Sequence, residues 1–81
     1  MNIDHLLREQ IRDLTDFNIE NLNNETRIDS IGFDSLDFLS VQVALQRQFD
    51  FQLDLNRLLE SQPNNYSELL HCIEMQYSEH E

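Results

Sequence analysis

Apolar residues recur at helical intervals along most of this chain, separated by short polar stretches. Ile3, Leu6, Leu7, Ile11 and Leu14 alternate with Asp4, Arg8, Glu9, Arg12 and Asp13. That spacing places the apolar set on one face of a helix from Asn2 to about Thr15, with Asn2 as N-cap. From Asp16 to Phe33 the periodicity fails: Asn, Asp and Glu dominate, and Phe17, Ile19, Leu22, Ile28 and Ile31 stand singly. The pattern is that of a long first loop pinned to a core by apolar anchors, and loops of this length are often functional or partly helical.

The next periodic run, Ser35 to about Phe49, predicts a second helix. Asp34 is a suitable N-cap, and Asp37 adds negative charge to the first turn, where the helix dipole favours it. Leu36, Phe38, Leu39, Val41, Val43, Ala44, Leu45 and Phe49 make this helix apolar around more than half its girth. Such a helix is either wrapped by neighbours or keeps an apolar strip for a partner. Phe51–Leu55 alternates apolar and polar residues as a strand does, but no second strand is available to pair with it, so an extended connection is expected. Asn56–Ser61 makes a short third helix, Pro63-Asn64 breaks the chain, and Asn65 with Glu68 resembles a capping box. Leu69, Leu70, Ile73 and Tyr77 give the last helix its inward face, and Ser78–Glu81 reads as a polar, frayed tail. The expected fold is all-α: a small four-helix bundle of three longer helices and one short third helix.

With 81 residues there is room for one domain, 1–81. A core this small leaves roughly 3–5 kcal/mol of net stability, which suits a binding surface or a carried group better than buried catalytic machinery. Sixteen acidic residues face five arginines, a net charge of −11. That balance repels nucleic acid and anionic membranes and favours a basic protein surface; acidity that merely keeps a small protein soluble is the plainer reading. The single Cys72 forms no internal disulfide and fits a reducing cytoplasm. There is no leader-like start and no apolar run of membrane-spanning length. His71 and Cys72, adjacent on a helix, diverge too far to act as a base–nucleophile pair, and the three histidines lack metal-ligand spacing. Asp29, Asp34 and Asp37 around Gly32 lack the alternating oxygens and distal Glu of a calcium loop, so no metal is expected.

Ser35 stands where the loop turns into the second helix, within Gly32-Phe33-Asp34-Ser35-Leu36. A serine there points outward, and a phosphodiester on it would lie near free helical amides, opposed by the charges of Asp34 and Asp37. Read alone, the short and common Asp-Ser-Leu is better taken as a serine that shares capping duty with Asp34. The stretch and the helix after it nevertheless resemble the acyl carrier proteins, from the first helix to Tyr77 and most closely from Ile31 to Leu53, including Ala44-Leu45 and Phe49-Asp50.

The resemblance implies that Ser35 carries 4'-phosphopantetheine, drawn from coenzyme A, whose thiol holds acyl groups as thioesters for partner enzymes. No residue of the chain would itself be catalytic. It further implies that Asp34, Leu36, Asp37 and Val43 meet partners: a phosphopantetheinyl transferase, and acyl-loading, ketosynthase-type or acyltransferase enzymes with basic docking patches. Phe38, Leu45 and Leu53 occupy positions that can line an acyl cavity, or simply the core. Carriers of primary fatty acid synthesis usually place glutamates where this chain has Ser40, Gln46 and Arg47. Arg47 would repel a basic patch, so a dedicated partner set in a specialised polyketide, fatty acid or lipid pathway is expected. The alternatives are a peptidyl or aryl carrier of nonribosomal peptide synthesis, and an unmodified acidic helical interaction protein. A start at Met1 and the lack of a Pro- or Gly-rich linker suggest a free-standing, monomeric carrier.

Overall fold

Side-chain caps fix the main helix boundaries in the computed structural model, which describes residues 2–80. Helix α1 spans Ile3–Leu14, and the Asn2 side chain accepts from the His5 amide at 2.7 Å. The long loop is not irregular throughout. It contains a 3₁₀ turn, Ile19–Asn21, capped by the Asn18 side chain, and a one-turn helix α2, Ile28–Ile31. Helix α2 ends at Gly32, whose φ of 87° is the left-handed conformation that residues with a Cβ adopt at a cost. Helix α3 spans Ser35–Phe49, α4 Leu55–Ser61, and α5 Tyr66–His80. The α4 helix starts one residue earlier than the sequence suggests, because Asp54 accepts from the Arg57 amide and caps it. The molecule is a small helical bundle: α1 packs on α3 and α5, and α4 closes against α3 and α5.

The core gathers Leu6, Leu7 and Ile11 from α1, Phe38, Val41 and Leu45 from α3, Leu58 from α4, and Tyr66, Leu69 and Ile73 from α5. Leu22 and Ile31 pin the loop to it, as their isolated positions imply. The segment 51–54 has no strand partner among the described residues, so its backbone must be satisfied otherwise. Gln42 Nε2 donates to the Leu53 carbonyl at 2.8 Å. The buried Gln76 clamps Asp54, accepting from its amide at 2.8 Å and donating to its carbonyl at 3.2 Å.

A second backbone tie joins the long loop to the start of α5. Arg27 and Asn65 form an isolated antiparallel bridge: Ile28 N–H donates to Asn64 O at 3.0 Å and Tyr66 N–H to Thr26 O at 2.8 Å. The Ser67 amide reaches Asn24 O, and Asn65 Oδ1 caps the Glu68 amide at 2.9 Å. The Glu68 carboxylate returns to the Asn64 amide rather than to Asn65, so the predicted capping box is displaced by one residue on one side.

The frayed tail requires correction: α5 continues through Ser78 to His80. Tyr77 packs edge-on against Phe49 and Phe51, and Arg57 forms a fork of hydrogen bonds with Glu79, which raises the guanidinium's affinity for its proton and lowers that of the carboxylate. The readings of the His80 side chain and of Glu81 lie outside the described residues.

Tyr66 is buried, donates to the Asp4 carboxylate, and lies 5.5 Å beneath the Arg8 guanidinium. Burial, reinforced by Asp4, pushes its phenol above the ordinary range. The folded state thus favours the neutral phenol. The stability this contributes is complete below the ordinary tyrosine pKa of about 10 and is lost as pH rises beyond it. Urea unfolding midpoints should therefore fall above about pH 10, and Tyr66→Phe should flatten that decline while lowering stability near neutrality by about 1 kcal/mol for the lost hydrogen bond.

Candidate functional site

The turn before α3 is held by reciprocal bonds between two aspartates. Asp34 Oδ1 accepts from the Asp37 amide at 3.0 Å, and Asp37 Oδ2 accepts from the Asp34 amide at 3.1 Å, a complete capping box. Phe33, just outside the cap, packs edge-on against Phe38 with ring centroids 5.4 Å apart. That contact spans the N′ and N4 positions, the hydrophobic staple that sets the angle at which a chain enters its helix. Gly32 supplies the left-handed step between α2 and this turn.

Ser35 is the first residue of α3 and is exposed. Among the described residues its hydroxyl has no hydrogen-bond partner. Capping, the plain alternative role for Ser35, is carried out by Asp34 and Asp37. The hydroxyl is thus presented to solvent on a capped helix start with no hydrogen-bonding task of its own. A phosphodiester fits here: the amides of Ser35 and Leu36, at the first two helical positions, lie ahead of the first internal bond, which runs from Phe38 N–H to Asp34 O at 3.1 Å. The two flanking carboxylates oppose a free anion, so a covalent bond suits the site better than reversible phosphate binding.

Beyond Ser35, α3 divides into two faces. Phe38, Val41 and Leu45 point into the core. Leu36, Leu39 and Val43 stay 71%, 45% and 49% exposed, at i, i+3 and i+7. Core packing for Val43, open in the sequence, is thereby excluded. Leu39 was not singled out from sequence, although its spacing to Leu36 and Val43 places it on the same stripe. Arg47 is exposed one turn further on. Among the described residues Arg8, Arg12, Arg27 and Arg57 each lie within 4.0 Å of a carboxylate, whereas Arg47 pairs with none.

Phe38, Leu45 and Leu53 belong to the packed core, at 8%, 0% and 1% exposure. Leu53 also borders a groove of about 420 Å³ between Gln42 and Asn56. Cys72 is half-buried, its Sγ 3.3 Å from Ser61 Oγ. Among the described residues no group of three His, Cys, Asp or Glu side chains is placed to hold a metal ion. Nor is any helix there long and apolar enough to cross a membrane.

Comparison with curated proteins and with solved structures gives no match. A family model, described as the phosphopantetheine attachment site, matches residues 5–73, which run from α1 into the middle of α5. Its members are non-catalytic carriers with covalently attached 4'-phosphopantetheine, served by a phosphopantetheinyl transferase and by acyl-handling enzymes. With most of its length inside that match, the chain belongs to the phosphopantetheine attachment site family.

Proposed function

We propose that this protein is an acyl carrier in which Ser35 Oγ is the attachment point. The observation that carries the reading is the exposed Ser35 hydroxyl, relieved of capping by the Asp34–Asp37 box. In the loading step the Ser35 oxygen forms a P–O bond to the β-phosphorus of coenzyme A. The diphosphate P–O bond breaks, adenosine bisphosphate leaves, and the hydroxyl proton passes to a base of the transferase. Once attached, the group supplies a thiol on a long flexible tether, where acyl cargo is held as a thioester. The chain's own residues then act by presentation, since a tethered cargo reaches each partner at high effective concentration.

Asp34 and Asp37 meet basic residues of the partner, and Leu36, Leu39 and Val43 supply apolar contact. Arg47 at the far end discourages a uniformly basic docking patch, which favours a dedicated partner set. Asp34 before the serine leans toward acyl over aryl or peptidyl cargo. We place the domain, residues 1–81, in a specialised polyketide, fatty acid or lipid pathway of the cytoplasm, as a monomer.

Incubation with coenzyme A and a broad-specificity phosphopantetheinyl transferase, followed by intact-mass and peptide-level mass spectrometry, tests the assignment. One phosphopantetheine on the peptide containing Ser35 is expected. No gain from folded protein, or a gain on another residue, overturns it. Leu36→Ala should leave the melting temperature essentially unchanged, because the side chain is already mostly in water. It should lower the transferase's kcat/KM by about 1–2 kcal/mol of lost contact, roughly a factor of ten.

A further inference from the structure

Two arms of the chain meet beyond the exposed stripe of α3. Gln42, Val43, Gln46 and Arg47 from the helix and Gln52 from the connection enclose a surface groove of about 340 Å³. In a chain of net charge −11, no acidic side chain among the described residues lines it. Arg47 from the helix and Gln52 from the connection both line it, and among the described residues neither side chain has a hydrogen-bond or ion-pair partner. Asp50, three residues after Arg47, instead accepts from Gln46 Nε2, at a long 3.3 Å. Gln42 spends its NH₂ group on the Leu53 carbonyl, and its own carbonyl oxygen is left as an acceptor.

The Gln42 and Gln46 side of the groove is aligned with Ser35, and Val43 and Arg47 border it further round the helix. Ser35, Leu39, Gln42 and Gln46 recur at i, i+4, i+7 and i+11, one stripe along a helix. From Ser35 to Val43 and Arg47 the axial separation is about 12–18 Å at the helical rise. Exposed Leu39 lies on the surface between.

We infer that this groove is a seat for the free end of the carried group, and that it selects cargo ending in a carboxylate. The Arg47 guanidinium supplies forked, charge-assisted hydrogen bonds, and the Gln52 amide adds a donor from the connection. A surface ion pair of this kind is weak between free molecules, but tethering raises the effective concentration enough to populate it. The inference rests on attachment through Ser35.

The test loads the protein with succinyl-coenzyme A or butyryl-coenzyme A through a broad-specificity transferase, verifies both products by mass, and compares their ¹H–¹⁵N spectra. The two acyl groups match in chain length and differ in the terminal carboxylate. Expected are shifts confined to Val43, Gln46, Arg47 and Gln52, including the Arg47 side-chain Nε–H, in the succinyl form relative to the butyryl form. Arg47→Gln should erase that difference. Identical spectra at these residues, or a difference that survives Arg47→Gln, overturns the inference while the loaded mass leaves the attachment at Ser35 standing. A chain that gains no mass overturns both.

Discussion

Replacing Ser35 with alanine is expected to abolish the gain of phosphopantetheine completely while leaving the bundle as stable as before. The chemistry is all-or-none, because alanine offers no oxygen for the new P–O bond. The fold should not register the change: the hydroxyl is exposed and makes no bond among the described residues, and the capping load rests on Asp34 and Asp37. Alanine is also a better helix former than serine, so the unfolding free energy should shift by no more than about 0.5 kcal/mol in either direction. Intact mass and equilibrium unfolding on the same sample check both halves. A variant that still gains one phosphopantetheine places the attachment elsewhere. One that unfolds shows that the hydroxyl has a structural task after all.

The second large effect is expected at Leu45. This side chain is fully buried, in a cluster drawn from α1, α3, α4 and α5. Leu45→Ala removes that packing and leaves a void, at a cost of about 2–5 kcal/mol. A domain of this size holds only about 3–5 kcal/mol in total, so the variant should be largely unfolded at 37 °C. Far-ultraviolet circular dichroism and urea unfolding at 10 °C and 37 °C measure it. A cost under about 1 kcal/mol would contradict a well-packed site and favour a space that cargo can enter, returning Leu45 with Phe38 and Leu53 to the cavity reading.

How much of this was legible in the sequence depended on whether the cause was local. Asn2 and Asp34 announced the starts of α1 and α3 because a cap is made by residues three apart, and both caps are present. The turn that places Ser35 at the head of α3 was legible for the same reason. Helix α2 was not: it is one turn long, has no side-chain cap, and follows a backbone tie to residues 64–66. The continuation of α5 past Tyr77 was also hidden, since Arg57 and Glu79 meet across 22 residues of sequence. Apolar residues nearly all round α3 left the pattern silent on which would face outward, and only the positions of α1 and α4 separate Leu36, Leu39 and Val43 from Phe38, Val41 and Leu45. The groove at Gln42 and Gln52 depends on how the connection folds back, which no periodicity encodes.

The bridge between Arg27 and Asn65 bears on when the serine becomes usable. A ribosome releases Ser35 and all of α3 well before Asn64, Asn65 and Tyr66, the residues whose backbone holds the loop leading into that turn. Contacts so distant in sequence close late, because the intervening chain must first be made and its entropy overcome. A nascent chain therefore exposes the serine on an unanchored segment, and the anchored presentation that a transferase meets belongs to the finished polypeptide. With attachment at Ser35, as proposed, chains truncated before the last helix lack the backbone that sets the turn, and should be poor recipients of the arm.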